Sequence, residues 1–182
     1  ELTADKLVPP TSNNPHFIYF AQLPFVSGTS YTLSVYCAAA GLRYIQLTLT
    51  SSAFGSRQHA NFDLQTGTIT QVIDCTASIE ACPNGFYRIS ITKTCLTTTS
   101  GSGCAIAAIP DQSSDRLGAY LGDGVSGCYV WGADLKIGTT TGPYQRVNTA
   151  TDYDTNPALF PKYLKFDGVD DYLNLPFMNL YG

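Results

Sequence analysis

Charge is scarce in this chain, and its scarcity excludes several functions. Lys, Arg, Asp and Glu make up 13% of the 182 residues, about half the roughly 25% usual in soluble domains. Ser, Thr, Asn and Gln must therefore carry most of the wetted surface. A net charge of −4 repels a phosphate backbone, so no nucleic-acid partner is expected. No run of 18 apolar residues occurs, so no segment reads as a spanning helix and no membrane insertion is expected. Two histidines are present, His16 and His59, and neither stands beside a Ser, Cys or carboxylate in a known nucleophile motif. A non-enzymatic protein is expected. The six cysteines include no Cys-x-x-Cys pair, which argues against zinc. No Asn-x-Ser/Thr acceptor points to a glycosylated secreted protein. The opening "ELTADKLVPP" lacks both an initiator Met and the charged-then-apolar pattern of a signal peptide. It reads as a chain cut at both ends, by processing or from something longer.

What is present is a strand-forming pattern. Hydrophobic residues reach 44%, enough for a sizeable core. Their period is two nearly everywhere. In "YTLSVYCA" (31–38), Tyr31, Leu33, Val35 and Cys37 alternate with Thr32, Ser34 and Tyr36. In "YIQLTLT" (44–50), Ile45, Leu47 and Leu49 alternate with Gln46, Thr48 and Thr50. "GTITQVI" (67–73), "FYRISIT" (86–92) and "GCYVWGADLKI" (127–137) behave alike. Such alternation, rich in Thr, Tyr, Val and Ile and punctuated by Gly, Pro and Asn, marks half-buried strands. No window offers helical spacing with caps. Many short strands so spaced predict an all-β, antiparallel sandwich or barrel.

The alternation stops at 138–161, a Thr-, Gly-, Asn- and Pro-rich stretch, and "LKFDGVDDYLNL" (164–175) follows as a hairpin. The expected organisation is a first domain at 1–146, a linker at 147–161 and a β-hairpin at 162–182. An isolated hairpin is marginal in water, and Phe166, Tyr172, Leu173, Leu175 and Phe177 need a partner surface. The hairpin therefore reads as the start of a second β-sandwich.

Three runs are specific when taken together: "TADKL" near the start, "YTLSVYCAA" at 31–39 and "GDGVSGCYVWGADLKIG" at 122–138. Between them, "NFDLQTGTIT" (61–70) and "IEACPNGFYRISIT" (79–92) follow in order. Over about residues 3–146 the chain resembles the carbohydrate-binding-module-like jelly rolls of bacteriophage tail and virion proteins. The stretch at 164–175 is similar to the first hairpin of a laminin-G or concanavalin-like sandwich. The resemblance implies an antiparallel jelly-roll β-sandwich on a phage particle, with host-surface glycan, other virion proteins and further copies of the chain as partners. An architectural protein that decorates or cements the capsid or tail without binding sugar is the alternative. The resemblance also puts Cys37 and Cys128 where its members usually have Val, which implies small buried core residues. The stretch 96–115 is longer and richer in Gly and Ser than those members lead one to expect, and reads as a loop.

A sugar binder needs flat rings for apolar sugar faces and polar groups for the hydroxyls. Tyr36, on a face otherwise made of Thr and Ser, is the first candidate. Tyr44, Phe54, Arg57, Gln58 and His59 gather around an expected loop, and the first four of these complete the set. Trp131, grouped with Tyr129 and Leu135 on one face of an apolar strand, reads as core. Asp167, Asp170 and Asp171 offer a weak site for structural calcium, although Asp and Gly more often crowd a turn for its backbone angles. Cys75 with Cys82, and Cys95 with Cys104, flank short connections that a disulfide would clip. Free buried thiols are the other reading.

Overall fold

A computed structural model describes residues 4–144. The expected linker and hairpin, with Asp167, Asp170 and Asp171, lie outside the described residues. Twelve strands are described: β1 (Asp5–Leu7), β2 (Asn13–Asn14), β3 (His16–Phe25), β4 (Ser30–Ala40), β5 (Tyr44–Thr48), β6 (His59–Asp63), β7 (Thr68–Ile73), β8 (Thr76–Ala81), β9 (Tyr87–Thr94), β10 (Thr99–Ile109), β11 (Tyr120–Leu121) and β12 (Gly127–Ile137). The only helical pieces described are one α-turn, α1 (Ser51–Phe54), and a 3-10 turn at Pro83–Gly85. The protein is an antiparallel β-sandwich. One sheet has the order β1-β12-β4-β9-β8, the other β3-β10-β5-β6-β7, and β11 pairs with β2 separately. Inner strands are nested rather than sequential: β10 lies between β3 and β5, and β4 lies between β9 and β12.

The period-two pattern sets this arrangement. Leu33, Val35 and Cys37 of β4, Ile89 and Ile91 of β9, and Cys128 and Val130 of β12 face inward from the first sheet. Ile45 and Leu47 of β5, Ala60 and Phe62 of β6, and Cys104 and Ile106 of β10 meet them from the second. Phe25, Tyr31 and Phe54 close one end with edge-to-face rings 4.9–5.8 Å apart. Burying one such Ile, Leu or Phe contributes about 1.5–3 kcal/mol. The Lys93–Asp74 ion pair has a solvated carboxylate and Lys136–Asp134 is partly exposed at both ends, so each contributes about 1 kcal/mol or less. The core, not charge, holds the sandwich.

The stretch 96–115 contains the eleven-residue strand β10 rather than one loop. Its outward positions are Ala105 and Ala107, both buried, so the polar half of the alternation is missing there. Gly103 sits where a Cβ would come within 1.7 Å of the Phe20 carbonyl oxygen, so only glycine lets β3 approach.

The expected disulfides are absent: all six cysteines are free thiols. Cys75 and Cys82 stand at opposite ends of β8, and six extended residues span about 20 Å. A bridge tolerates Cα atoms only about 7 Å apart. Cys95 follows β9 in one sheet, with its thiol donating to the Thr97 carbonyl at 3.2 Å. Cys104 lies within β10 in the other sheet. Cys37 and Cys128 are fully buried, as expected. Burial pushes Cys75 up to about 11 and Cys104 and Cys128 up to about 12, which keeps these thiols protonated.

Candidate functional site

The outer face of the first sheet is a grid of hydroxyls. Register across β8, β9 and β4 aligns Thr76, Thr92 and Thr32 in one row and Ser78, Ser90 and Ser34 in the next. The following row holds Glu80, Arg88, Tyr36 and, on β12, Trp131. After β12 the chain folds back over this face. Thr32 donates from Oγ1 to the Gly138 carbonyl at 2.9 Å. Arg88 donates to the Gly142 carbonyl at 2.6 Å and to that of Thr141 at 3.3 Å, while Lys136 donates to that of Pro143. Thr139, Thr140 and Thr141 thereby become the second wall of an open groove of about 280 Å³. Its first wall includes Thr32, Ser90 and Thr92.

An aromatic cluster stands one row from the groove. The Tyr36 and Trp131 rings stack at 4.4 Å with planes 14° apart, and Tyr144 meets both edge-on at 6.0 and 5.1 Å. The Arg88 guanidinium lies 5.2 Å from the Tyr36 ring centre. Burial in this cluster raises the Tyr36 phenol above its ordinary value, an effect Arg88 partly offsets. Gly132, at φ +59°, makes the cluster possible: a Cβ there would lie 3.1 Å from both the Tyr36 and Tyr144 rings.

The bulge at Gly132 also corrects the reading of Trp131 as core. Pairing slips between Trp131 and Asp134, so alternation inverts along β12. Leu135 packs on the core, whereas Trp131 is half-buried on the outer face. Tyr129, grouped with them from sequence, is exposed. Sequence parity from Cys128 and Val130 backwards was the available signal, and the glycine was the sign that parity would break.

The other four sugar-binding candidates do not join Tyr36. Phe54 is fully buried beneath Phe25 and Tyr31, and this core position rules it out as a stacking platform. Gln58 is also fully buried; its side-chain oxygen accepts from the Leu49 amide at 2.9 Å and its amide donates back to the Leu49 carbonyl. It is a pin within the fold, not a free polar partner. Arg57 is exposed. Tyr44 is half-buried on the outer side of the second sheet, with Arg43 5.2 Å from its ring centre. Sequence reasoning missed a further exposed pair, Phe17 and Tyr19, on edge strand β3 with ring centres 6.3 Å apart. Their alternation with Ile18 and Phe20 was readable.

No family model matches this chain, and no curated protein does. The groove is therefore judged on its own chemistry. Among the described residues no group of three or more His, Cys, Asp or Glu is placed to hold a metal ion. The groove wall carries no ionisable side chain. Hydroxyls in a row beside stacked rings can hold a polyol by hydrogen bonds and ring contact.

Proposed function

We propose that this chain is a non-enzymatic binding module of a phage virion that holds host-surface glycan in the groove beside Tyr36. The observation that carries the reading is the hydroxyl-lined groove on the outer sheet face, next to the Tyr36–Trp131–Tyr144 cluster. The phage assignment rests on the sequence resemblance. A ring contact contributes on the order of 1 kcal/mol beyond its area, so a single module binds weakly. Useful adhesion then comes from many copies, which multiply affinity without new contacts.

The architectural reading keeps one observation of its own. Edge strand β3, "HFIYFAQLPF", contains no Lys, Arg, Asp or Glu and exposes Phe17 and Tyr19. An uncharged edge is a template for strand pairing with another subunit. The deciding experiment displays the chain multivalently on a glycan array and on host cells, alongside Tyr36→Ala. Binding by the parent that Tyr36→Ala weakens supports the glycan reading. No binding above background defeats it and leaves the virion-cement reading. Trp131, the only tryptophan, supplies a fluorescence signal from beside the groove.

A further inference from the structure

The two five-stranded sheets end in four edge strands, and three of these are guarded against pairing with another chain. β1 is three residues long and carries Asp5 and Lys6, and β8 carries Glu80. β7 is uncharged, but its pairing skips Thr70 in mid-strand, and the Thr70 hydroxyl donates to the Gln112 carbonyl at 3.0 Å. Short length, charge and bulges are the usual protections of an edge. β3 has none of them over residues 16–20, which pair with residues 104–108 of β10 in unbroken register. No other strand among the described residues pairs along its far side. The slips against β10, and Pro24 with no amide to donate, come only after Phe20.

The geometry points to antiparallel pairing of β3 with β3 of a second copy of this chain, about a two-fold axis at Ile18. That register sets residues 16–20 against themselves and places each Phe17 opposite the other copy's Tyr19. Both rings are exposed, at 41% and 52%, and they alternate with Ile18 and Phe20, which pack on the core. Aromatic pairs facing each other across two strands stabilise a sheet. A second copy fits this edge because it brings the matching rings and no charge. Each chain carries a net −4, so two copies repel, and they meet at least cost along a segment without an acidic side chain. The pairing uses one edge of each copy and the other three are guarded, so assembly closes at a dimer. The groove lies on the other sheet, and the pairing is independent of what it holds.

The test is sedimentation velocity of the intact chain from about 1 to 100 µM, the range in which a small interface associates. A monomer–dimer equilibrium is the expected result. Amide hydrogen exchange over residues 17–20 should slow as concentration rises, and exchange at β7 should not change. Tyr19→Lys puts a charge on the exposed edge and should weaken the dimer by about tenfold or more, because a two-fold contact counts each substitution twice. Its Tm should stay within a few degrees of the parent, and Phe17→Lys repeats the test one contact away. Val72→Lys, equally exposed on the other uncharged edge, should leave the dimer as it is. A parent that stays monomeric throughout overturns the inference. So does a dimer that Val72→Lys breaks and Tyr19→Lys does not, or assembly that runs past two copies. If a variant fails to fold, concentration-dependent exchange in the parent still decides, since protection anywhere but β3 overturns the pairing.

Discussion

The two outer faces of the sandwich read alike in sequence and differ in what closes them. On the second sheet, Gln46, Thr48 and Asn61 are fully buried against residues 112–117, and Gln58 is fully buried against Thr48 and Leu49. Gln46 donates to Asn61 Oδ1 at 2.8 Å and to the Asp115 carbonyl at 3.1 Å, and it accepts from the Leu117 amide at 2.8 Å. Asn61 reaches the Ser114 carbonyl and Gln71. Arg116 donates to Thr48 Oγ1 at 2.7 Å and to the Leu49 carbonyl at 2.8 Å. Leu117, at φ +51°, tolerates a left-handed backbone while its amide is held by Gln46. Every arm of this network is used by the protein itself, so the face is a seal. On the first sheet Thr32, Ser34 and Ser90 are buried as well, but the wall formed by Thr139–Thr141 leaves an open groove over Thr76, Ser78 and Thr92. Polar residues at alternate positions thus mark an outer face without saying whether it is closed.

The sharpest way to break the comparison is to attack the seal. Gln58→Ala removes the partner of the Leu49 amide and one of the donors to its carbonyl in a fully buried position. It should cost about 3 kcal/mol, or roughly 10 °C in Tm. Thr48→Val, which strands the half-buried Arg116 Nε, should cost about 2 kcal/mol. Thermal or urea unfolding measures both. Losses no greater than those of surface substitutions would mean that the network is not a seal.

How much of this was legible depended on whether chemistry or closure was asked for. The alternations at 31–38, 44–50 and 127–137 mark β4, β5 and β12 to within about two residues, because side-chain direction follows parity. Strand β10 escaped, since Gly101, Gly103 and two outward alanines erase its polar half. Gln58 looked like a free partner because nothing local reports that Leu49 will lie across from it. The place of Tyr36 on the outer face was legible, because its Thr and Ser neighbours at alternate positions do share that face. Trp131 was missed for one reason, the inverted parity after Gly132.

A smaller effect separates the faces by pH. Asp63, at the end of β6, accepts from Arg43 Nε at 2.8 Å and from the Gln65 amide at 2.9 Å. Arg43 above all holds this carboxyl well below the usual carboxylate range, and the Thr66 side chain and the local amides add to that. Its folded-state value is thus depressed. The stability it contributes is in place above its unfolded value of about 4 and is lost as pH falls below that. Asp63→Asn should lower Tm by a few degrees at pH 7, and the gap to the parent should close toward pH 2. The groove carries no titratable side chain, so sugar binding should stay flat between about pH 5 and 8, where Asp63 remains charged. A binding profile with a titration in that window would tie the ligand to another surface.

The smallest expected change in stability is also the most discriminating. Thr92 donates its hydroxyl hydrogen to Thr32, which keeps its own donation to the Gly138 carbonyl. Thr92→Val therefore orphans no donor, keeps the side-chain shape and keeps a β-branched residue in strand β9. Stability should move by no more than about 0.5 kcal/mol. The variant nonetheless removes one of the lone-pair acceptors that the groove presents to a sugar, so binding should weaken by about three- to tenfold, the worth of one hydrogen bond. Thr92→Ser should restore it. Tm and the change in Trp131 fluorescence on titration with a bound oligomer read the two quantities separately. If Thr92→Val behaves like Thr48→Val, unfolding the protein rather than weakening binding, then both faces are seals and the groove is only a gap in one of them.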